Sequence, residues 1–197
     1  MPIIGRQIPH FNQVDIQSIE AVFSSDNFYR YVLSLNFSSN LLQDNRSKTL
    51  VVIMKNPSSA DQNASDATIR KVETFVYHRF PEVKKLIILN LFAIRATYAK
   101  EVQENLKSNG VDYVIGSENQ NWFIKILQEA DHVICAWGGN SGIDKAAYQN
   151  RIDQVKSLFG TIDSRVKVWQ VIGEQKTVQP LHGLMWGYQY KLEPYNY

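Results

Sequence analysis

Two asparagines and one histidine are the residues of this sequence best suited to hold a polar ligand. Asn56 lies in residues 55–61, which read KNPSSAD and follow the apolar run 49–54. Asn90 ends the apolar run 86–89, and His182 lies in residues 180–186, which read PLHGLMW. An asparagine amide both donates and accepts hydrogen bonds, as a pyrimidine edge does, and a neutral histidine donates one. Ligands bind at the carboxyl ends of parallel strands, so these three side chains are predicted to share one site.

Each of these residues also has a purely structural interpretation. Asn-Pro and Pro-Ser are common turn pairs, and Pro57 cannot continue a strand ladder, so Asn56 can simply mark a turn. Asn90 can tie down the backbone of a neighbouring loop, and His182 can be an exposed surface residue. The sequence alone leaves these alternatives open.

A glycine-rich turn, GGNSG at residues 138–142, follows a third apolar run at residues 132–137. Its backbone N–H groups are candidates to hold a phosphate, although the same residues suit an ordinary strand-to-helix turn. Arg95 is a candidate partner for a phosphate or for a helix acid, whereas Asp66 suits a helix N-cap. The sequence contains no P-loop, no dinucleotide fingerprint, no nucleophile elbow and no clustered metal ligands.

The segments that would position these residues alternate between strand-like and helix-like patterns. Solid apolar runs predict buried strands, and apolar residues at helical spacing predict amphipathic helices. Strands are predicted over residues 29–37, 50–54, 86–89, 132–137 and 166–172, and helices over residues 15–24, 65–80, 118–130 and 143–159. The first strand is expected at or near a sheet edge, residues 38–48 in a loop, and the segment after residue 180 in a final strand or tail.

This order of segments predicts a single α/β domain over residues 1–197, with residues 1–28 as an N-terminal helical extension. The expected architecture is a three-layer sandwich around a central, mostly parallel sheet of about four to five strands. Helices on both faces of such a sheet would explain why its strands are apolar along their whole length.

Composition indicates the cellular compartment of the protein more clearly than its activity. Cys135 is the single cysteine and cannot form an internal disulfide, and no signal core or membrane-spanning run is present, so the cytoplasm is expected. The net charge of +2 neither demands nor excludes nucleic acid as a partner. Aromatic residues make up 12% of the chain, which suits a large core, a stacking site, or both.

Several motifs together resemble a bacterial and phage domain family of unknown function, over roughly residues 29–186. The motifs are NPSSAD at 56–61, DATIR at 66–70, NLFAIRAT at 90–97, Gly116, Asn119, and AWG at 136–138. The family pattern ends in a His-Pro-Leu segment, whereas His182 is followed here by Gly183.

More remotely, the order of elements is similar to that of the uracil-DNA glycosylase superfamily. Residues 54–58, MKNPS, are similar to the Gly-Met-Asn-Pro-Gly motif of its single-strand-selective and mismatch-specific branches, without the first glycine. Leu89-Asn90 and residues 136–138 are similar to two further strand ends of that superfamily, and residues 180–185 occupy the place of its histidine-containing loop.

The resemblance implies a uracil-DNA-glycosylase-like fold and a monofunctional DNA glycosylase without cofactor or metal, which hydrolyses the N-glycosidic bond of a flipped nucleotide. Asn56 would hold the attacking water, and His182 would donate a hydrogen bond to the leaving base. The implied substrate-binding residues are Pro57, Ser58, Ser59, Asn90, Phe92, Arg95, Trp137 and Gly138, and the implied DNA-binding residues are Gly139, Asn140, Lys145, Leu184 and Met185. Phe92 would stack on the base, and Leu184, Met185 or Trp186 would fill the gap that it leaves.

The residues after Pro57 suggest the kind of base. In the uracil-specific branch a tyrosine at this place closes the pocket against a 5-substituent, whereas Ser58, Ser59 and Ala60 are small. A roomier pocket is therefore expected, for a 5-substituted pyrimidine such as those of phage DNA, with a role in phage defence. The expected partner is duplex or single-stranded DNA, with no membrane, and the protein is expected to be monomeric. The alternatives are an enzyme or binding protein for a nucleotide or nucleoside, which would not act on DNA, and a non-catalytic interaction module.

Overall fold

The computed structural model describes residues 7–38, 45–58, 60–174 and 177–197. Within these residues it contains seven strands, five helices and one 3₁₀ turn, Gly183–Met185. The strands are β1 (Val14–Phe23), β2 (Arg30–Phe37), β3 (Lys48–Met54), β4 (Val83–Asn90), β5 (His132–Cys135), β6 (Lys167–Ile172) and β7 (Lys191–Pro194). The helices are α1 (Ala67–Arg79), α2 (Ala99–Asn109), α3 (Val111–Ile115), α4 (Asn119–Leu127) and α5 (Lys145–Phe159).

The strands form one sheet in the order β1-β2-β4-β3-β5-β6-β7. Parallel pairing joins β4, β3, β5 and β6 in the centre. The pairs β1-β2, β2-β4 and β6-β7 are antiparallel. Because the four central strands run the same way, their carboxyl ends meet at one edge, and the loops that follow them lie side by side.

Helices pack on both faces of this sheet. Phe75 of α1 packs in the apolar cluster that includes Val52 of β3. Phe123 of α4 and Ile152 of α5 pack with Ile53, which faces the other way. Both Val52 and Ile53 are fully buried, because successive residues of a strand point to opposite faces. The predicted α/β class with burial on two sides is confirmed.

The central elements agree with the sequence pattern to within a few residues. β3, β4, β5 and β6 and helices α1, α4 and α5 lie where strands and helices were predicted. Asp66 is the N-cap of α1, and its carboxylate accepts hydrogen bonds from the backbone N–H groups of Thr68 and Ile69 at 2.8 and 2.9 Å. The cap satisfies two N–H groups that the helix itself cannot pair, which explains why the helix begins there.

The prediction of a helix over residues 15–24 is wrong, because this segment forms strand β1. β1 pairs antiparallel with β2, with a register shift between Asp15 and Glu20. Its branched side chains, which include Ile16, Ile19 and Val22, favour a strand over a helix once a partner strand is available. Residues 7–28 therefore supply a sheet edge rather than a helical extension.

The sheet is also larger and less parallel than predicted. Its extra strands are β1 at one edge and β7 at the other, and half of its strand pairings are antiparallel. Both added strands are partly exposed, so they lack the solid apolar run by which the central strands were recognised. β2 lies second from the edge, which agrees with its predicted place at or near an edge.

Helices α2 and α3 were not predicted, and each buries a single residue, Val102 and Val114 respectively. A helix with so narrow an apolar face carries little periodic signal in the sequence. None of the helices in the described part of the chain is long and apolar enough to cross a membrane.

Candidate functional site

A cleft of about 760 Å³ lies at the carboxyl ends of β3 and β5. Its walls are the segment after β3, the start of α2, the glycine-rich loop after β5, the first turns of α5 and the segment before the 3₁₀ turn. A smaller side pocket of about 240 Å³ adjoins it, with Arg30, Ser58 and Asp66 in its wall. Asn56 and His182 line both spaces, so two of the three residues singled out in the sequence share one site.

Asn56 is held in the cleft wall by its side-chain amide. Its Nδ2 donates a hydrogen bond of 2.6 Å to the carbonyl of Ala96, a residue of the loop after β4. Pro57 is buried, and its carbonyl accepts from the N–H of Ala96 at 2.9 Å. With Nδ2 committed to this contact, the side-chain oxygen of Asn56 is the atom left to accept a hydrogen bond from a ligand or a water.

His182 is held as a neutral imidazole. Its Nδ1 accepts a hydrogen bond of 3.3 Å from the backbone N–H of Leu184, so the ring proton lies on Nε2. Burial, and then the nearby charge of Lys55, lower the pKa of His182 to about 4, against a partial opposing effect of Asp66. At neutral pH the ring therefore offers one N–H donor and carries no charge.

The glycine-rich loop packs directly against His182. A Cβ atom added at Gly138 would lie 2.9 Å from the Cβ of His182, and Gly138 has a φ of +70°. Its N–H donates to the carbonyl of Pro180 at 3.0 Å, so this group is not available to hold a phosphate. Tyr148 of α5 supports the loop by donating to the carbonyl of Gly138 at 2.8 Å.

We expect Gly138→Ala to lower the free energy of unfolding by about 1–3 kcal/mol, because alanine is strained at this φ and meets His182. The matched control is Gly139→Ala, since nothing lies within 4 Å of a Cβ added there. Urea unfolding followed by circular dichroism measures both variants. Equal effects of the two substitutions would show that the contact with His182 is unimportant.

Lys55 lies in the cleft although its residue type and motif did not mark it as a site residue in the sequence. It is 6% exposed, lines the cleft, and its Nζ donates to the hydroxyl of Ser141 at 2.6 Å. Burial lowers the pKa of Lys55 to about 8. The available signal was its place between a buried strand and Asn56, where a long charged side chain has little route to solvent.

Five predicted substrate residues line neither the cleft nor the side pocket: the buried Pro57, Asn90, Phe92, Arg95 and Trp137. Asn90 is 1% exposed, and neither polar atom of its side chain has a partner among the described residues. Phe92 is fully buried beside Tyr148, with ring centroids 6.2 Å apart. Trp137 is fully buried and donates from Nε1 to Gln179 at 3.0 Å. Phe92 and Trp137 are core residues because the strand ends that carry them lie beneath α5 and its neighbours.

Arg95 lies away from the cleft. Its guanidinium lies 5.0 Å from the ring centroid of Phe23 and donates to the carbonyl of Asn27 at 3.3 Å. These contacts tie the loop after β4 to the turn between β1 and β2. The structure therefore shows a role in packing for Arg95 rather than a contact with a ligand in the cleft.

The remaining predicted residues fall into three groups. Ser58 lines the side pocket and donates to the carboxylate of Asp66, whereas Ser59 lies outside the described residues. Gly139, Asn140 and the exposed Lys145 line the cleft. Leu184 is 44% exposed at the rim of the side pocket, and Met185 is 62% exposed at the rim of the cleft. Trp186 is fully buried against Phe75, so its predicted role in filling a gap in DNA is wrong.

Arg30 and Asp66 give the side pocket its polar character. Arg30 is 1% exposed, and burial lowers its pKa to about 10, partly opposed by Asp66. Its guanidinium donates to the carbonyl of Ala60, while its buried Nε has no partner among the described residues. The side pocket thus contains a buried guanidinium and a carboxylate, which suit a ligand with hydroxyl groups. Within the described residues, no group of three or more metal-ligating side chains is placed to hold a metal ion.

The fold and the cleft define an α/β protein with a candidate ligand site at the carboxyl edge of its parallel strands. A family model matches residues 30–184, and the chain belongs to that family, DUF1643, whose members are described as proteins of unknown function. The matched segment runs from β2 into the 3₁₀ turn and includes every residue of the cleft except Met185. Comparison with curated proteins and with solved structures finds no match.

Proposed function

We propose that this protein is a DNA glycosylase that hydrolyses the N-glycosidic bond of a flipped, 5-substituted pyrimidine. The observation that supports this most directly is the shared position of Asn56 and His182, which line both the cleft and the side pocket. The resemblance of residues 54–58 to a glycosylase motif suggests the reaction. The cytoplasm is the proposed location, and monomeric protein is the proposed form.

In the proposed reaction the sugar becomes oxocarbenium-like, and the base leaves with negative charge. The side-chain oxygen of Asn56 would accept a hydrogen bond from the attacking water and hold it against the sugar. His182 would donate its Nε2 proton in a hydrogen bond to the leaving base. Since the imidazole is neutral at neutral pH, it would stabilise the developing negative charge through this hydrogen bond rather than as a full cation.

The side pocket is the proposed place for the substituent on the base. Ser58 is small, and beyond it lie Arg30 and Asp66, which can hydrogen-bond to hydroxyl groups. Asn90 remains the proposed reader of the base edge, because both of its polar side-chain atoms lack partners among the described residues. Its burial means that a base would reach it only when the wall above it moves. Leu184 and Met185, which are exposed at the rim, would fill the gap in the DNA.

The test is a panel of synthetic duplexes and single strands that carry uracil, 5-hydroxymethylcytosine or a glucosylated base at one position. Alkaline cleavage at the abasic site reports base release. We expect release of a 5-substituted base and little release of uracil. Release of uracil alone would contradict the proposed substrate, and no release from any strand would contradict the glycosylase proposal. Protection of cells against phages with such bases would extend a positive result to a role in defence.

A nucleotide-binding protein that does not act on DNA is the second candidate function. Lys55 and Lys145 line the cleft beside the glycine-rich loop, and two ammonium groups near backbone N–H groups suit a phosphate. This function would show itself as binding of free nucleotides without binding of DNA in an equilibrium titration at constant salt concentration.

A further inference from the structure

The side chain of Lys55 enters the cleft with little contact to water. Lys55 is 6% exposed, follows the last residue of β3 and lies beside Asn56 in the cleft wall. Its Nζ donates to the hydroxyl of Ser141 and lies 5.8 Å from the centroid of the Tyr148 ring. In the part of the chain that the structure describes, no carboxylate lies within ion-pair distance of it. A buried ammonium without a counter-ion gives up its proton more readily than a solvated one.

Neutral lysine amines are nucleophiles toward aldehydes, with which they form Schiff bases. Burial lowers the pKa of Lys55 to about 8, so a useful fraction of the amine is neutral near physiological pH. Its partner Ser141 is an alcohol, which accepts the hydrogen bond without supplying a charge that would hold the proton in place. The same cleft contains the exposed Lys145, whose ammonium is solvated. The two lysines share a site and differ in burial.

We propose that Lys55 forms a Schiff base with the C1′ aldehyde of an abasic deoxyribose, which gives the protein a second activity as an abasic-site lyase. The geometric basis is the place of its Nζ in the same cleft as Asn56 and His182. The inference rests on the proposed function for the source of abasic DNA, since base release leaves this sugar in the cleft. It goes beyond the monofunctional enzyme expected from the resemblance.

The proposed reaction balances without an oxidant or reductant. The neutral amine of Lys55 adds to C1′ of the ring-opened sugar, and the product takes up one proton from solvent and loses one water, which leaves a protonated imine. A solvent water then removes a proton from C2′, and the electron pair expels the phosphate at C3′, which breaks the DNA strand. A second water hydrolyses the remaining imine, returns the amine of Lys55 and releases an unsaturated aldehyde.

The experiment uses the full chain and a synthetic oligonucleotide whose abasic site is made beforehand by a separate enzyme. Sodium cyanoborohydride reduces the imine to a stable amine, so the protein becomes covalently joined to the DNA and moves more slowly in a denaturing gel. We expect this band for the wild type and for Lys107→Arg, which changes an exposed lysine of α2 outside the cleft, and its loss to background for Lys55→Arg. Mass spectrometry of the wild-type adduct should place the modified residue at Lys55.

An equal band in Lys55→Arg and the wild type, or an adduct mapped to another residue, would overturn the proposal. The mapping needs only the wild-type protein, so poor folding of the variant cannot hide the answer. Absence of any band with folded wild type would also overturn it. Because the abasic site is supplied, trapping at Lys55 without release of any base would leave the lyase proposal standing while the glycosylase proposal fails. Release of a base without trapping at Lys55 would leave the glycosylase proposal standing while the lyase proposal fails.

Discussion

Asn56→Ala is expected to lower the single-turnover rate of base release by about 10²-fold or more, because the water loses the group that holds it in line. The substitution removes the amide that donates to the Ala96 carbonyl, but it leaves the buried Pro57 turn in place. Single-turnover release from the best strand of the panel measures the rate. Binding of the abasic product, measured by fluorescence anisotropy, should change far less, since Asn56 acts on water rather than on the DNA backbone.

The matched control for this prediction is Asn121→Ala, an exposed asparagine on α4 that lies outside the cleft. Its rate of base release should equal that of the wild type. A similar loss in both variants would mean that the change acts through stability. A wild-type rate of base release in Asn56→Ala would show that Asn56 is not catalytic, and His182 would be the remaining candidate.

Glu73→Ala is expected to have the largest effect on stability, a loss of about 3–5 kcal/mol in the free energy of unfolding. Glu73 is fully buried on α1 and accepts from Nδ1 of the buried His10 at 2.5 Å. Its other oxygen accepts from the backbone N–H of Phe11 at 2.8 Å. Loss of the carboxylate leaves Nδ1 of the buried His10 and the backbone N–H of Phe11 unpaired, and it removes two of the contacts between the N-terminal segment and α1.

Urea unfolding measures this loss, and Glu129→Ala is the control because Glu129 is exposed. The free energy of unfolding of Glu129→Ala should lie within about 0.5 kcal/mol of the wild-type value, because the substitution is at the surface. If Glu73→Ala matched Glu129→Ala, the pair between His10 and Glu73 would contribute nothing to the fold.

The same pair predicts a direction for the pH dependence. Burial alone would lower the pKa of His10, but the hydrogen bond and charge of Glu73 overcome it and raise the pKa above 6.5. A raised pKa stabilises the fold fully below pH 6.5, and this contribution is lost as the pH rises through the value in the folded protein. The stability gap between wild type and Glu73→Gln should therefore narrow with rising pH in that range. A stability difference that widens as the pH rises would contradict a protonated His10.

Local sequence determined the central part of the fold and one corner of the site. The solid apolar runs of β3 and β4 predict strands buried on both faces, and Asp66 predicts the start of α1 through its cap. Pro57 ends the strand ladder and thereby leaves Asn56 at the carboxyl edge of the sheet. These features depend on residues close in sequence, so they can be recognised without knowledge of the packing.

The edges of the sheet depend on partners that are distant in the chain. β1 is a strand because β2 pairs with it, although the spacing of its apolar residues also fits a helix. β7 is short and partly exposed, and it pairs with the edge of β6. For such segments the local preference is weak, and the hydrogen bonds to a neighbouring strand decide the outcome.

Only the tertiary structure decided the chemical state of the cleft. Lys55 is buried beneath Ser141, which is 86 positions away in the chain, and this burial lowers its pKa. His182 is neutral because burial and the charge of Lys55 lower its pKa. The lack of a side chain at Gly138 leaves space for His182. Residue types can be read from the sequence, but the desolvation that sets their protonation arises from chain segments that meet only in the folded protein.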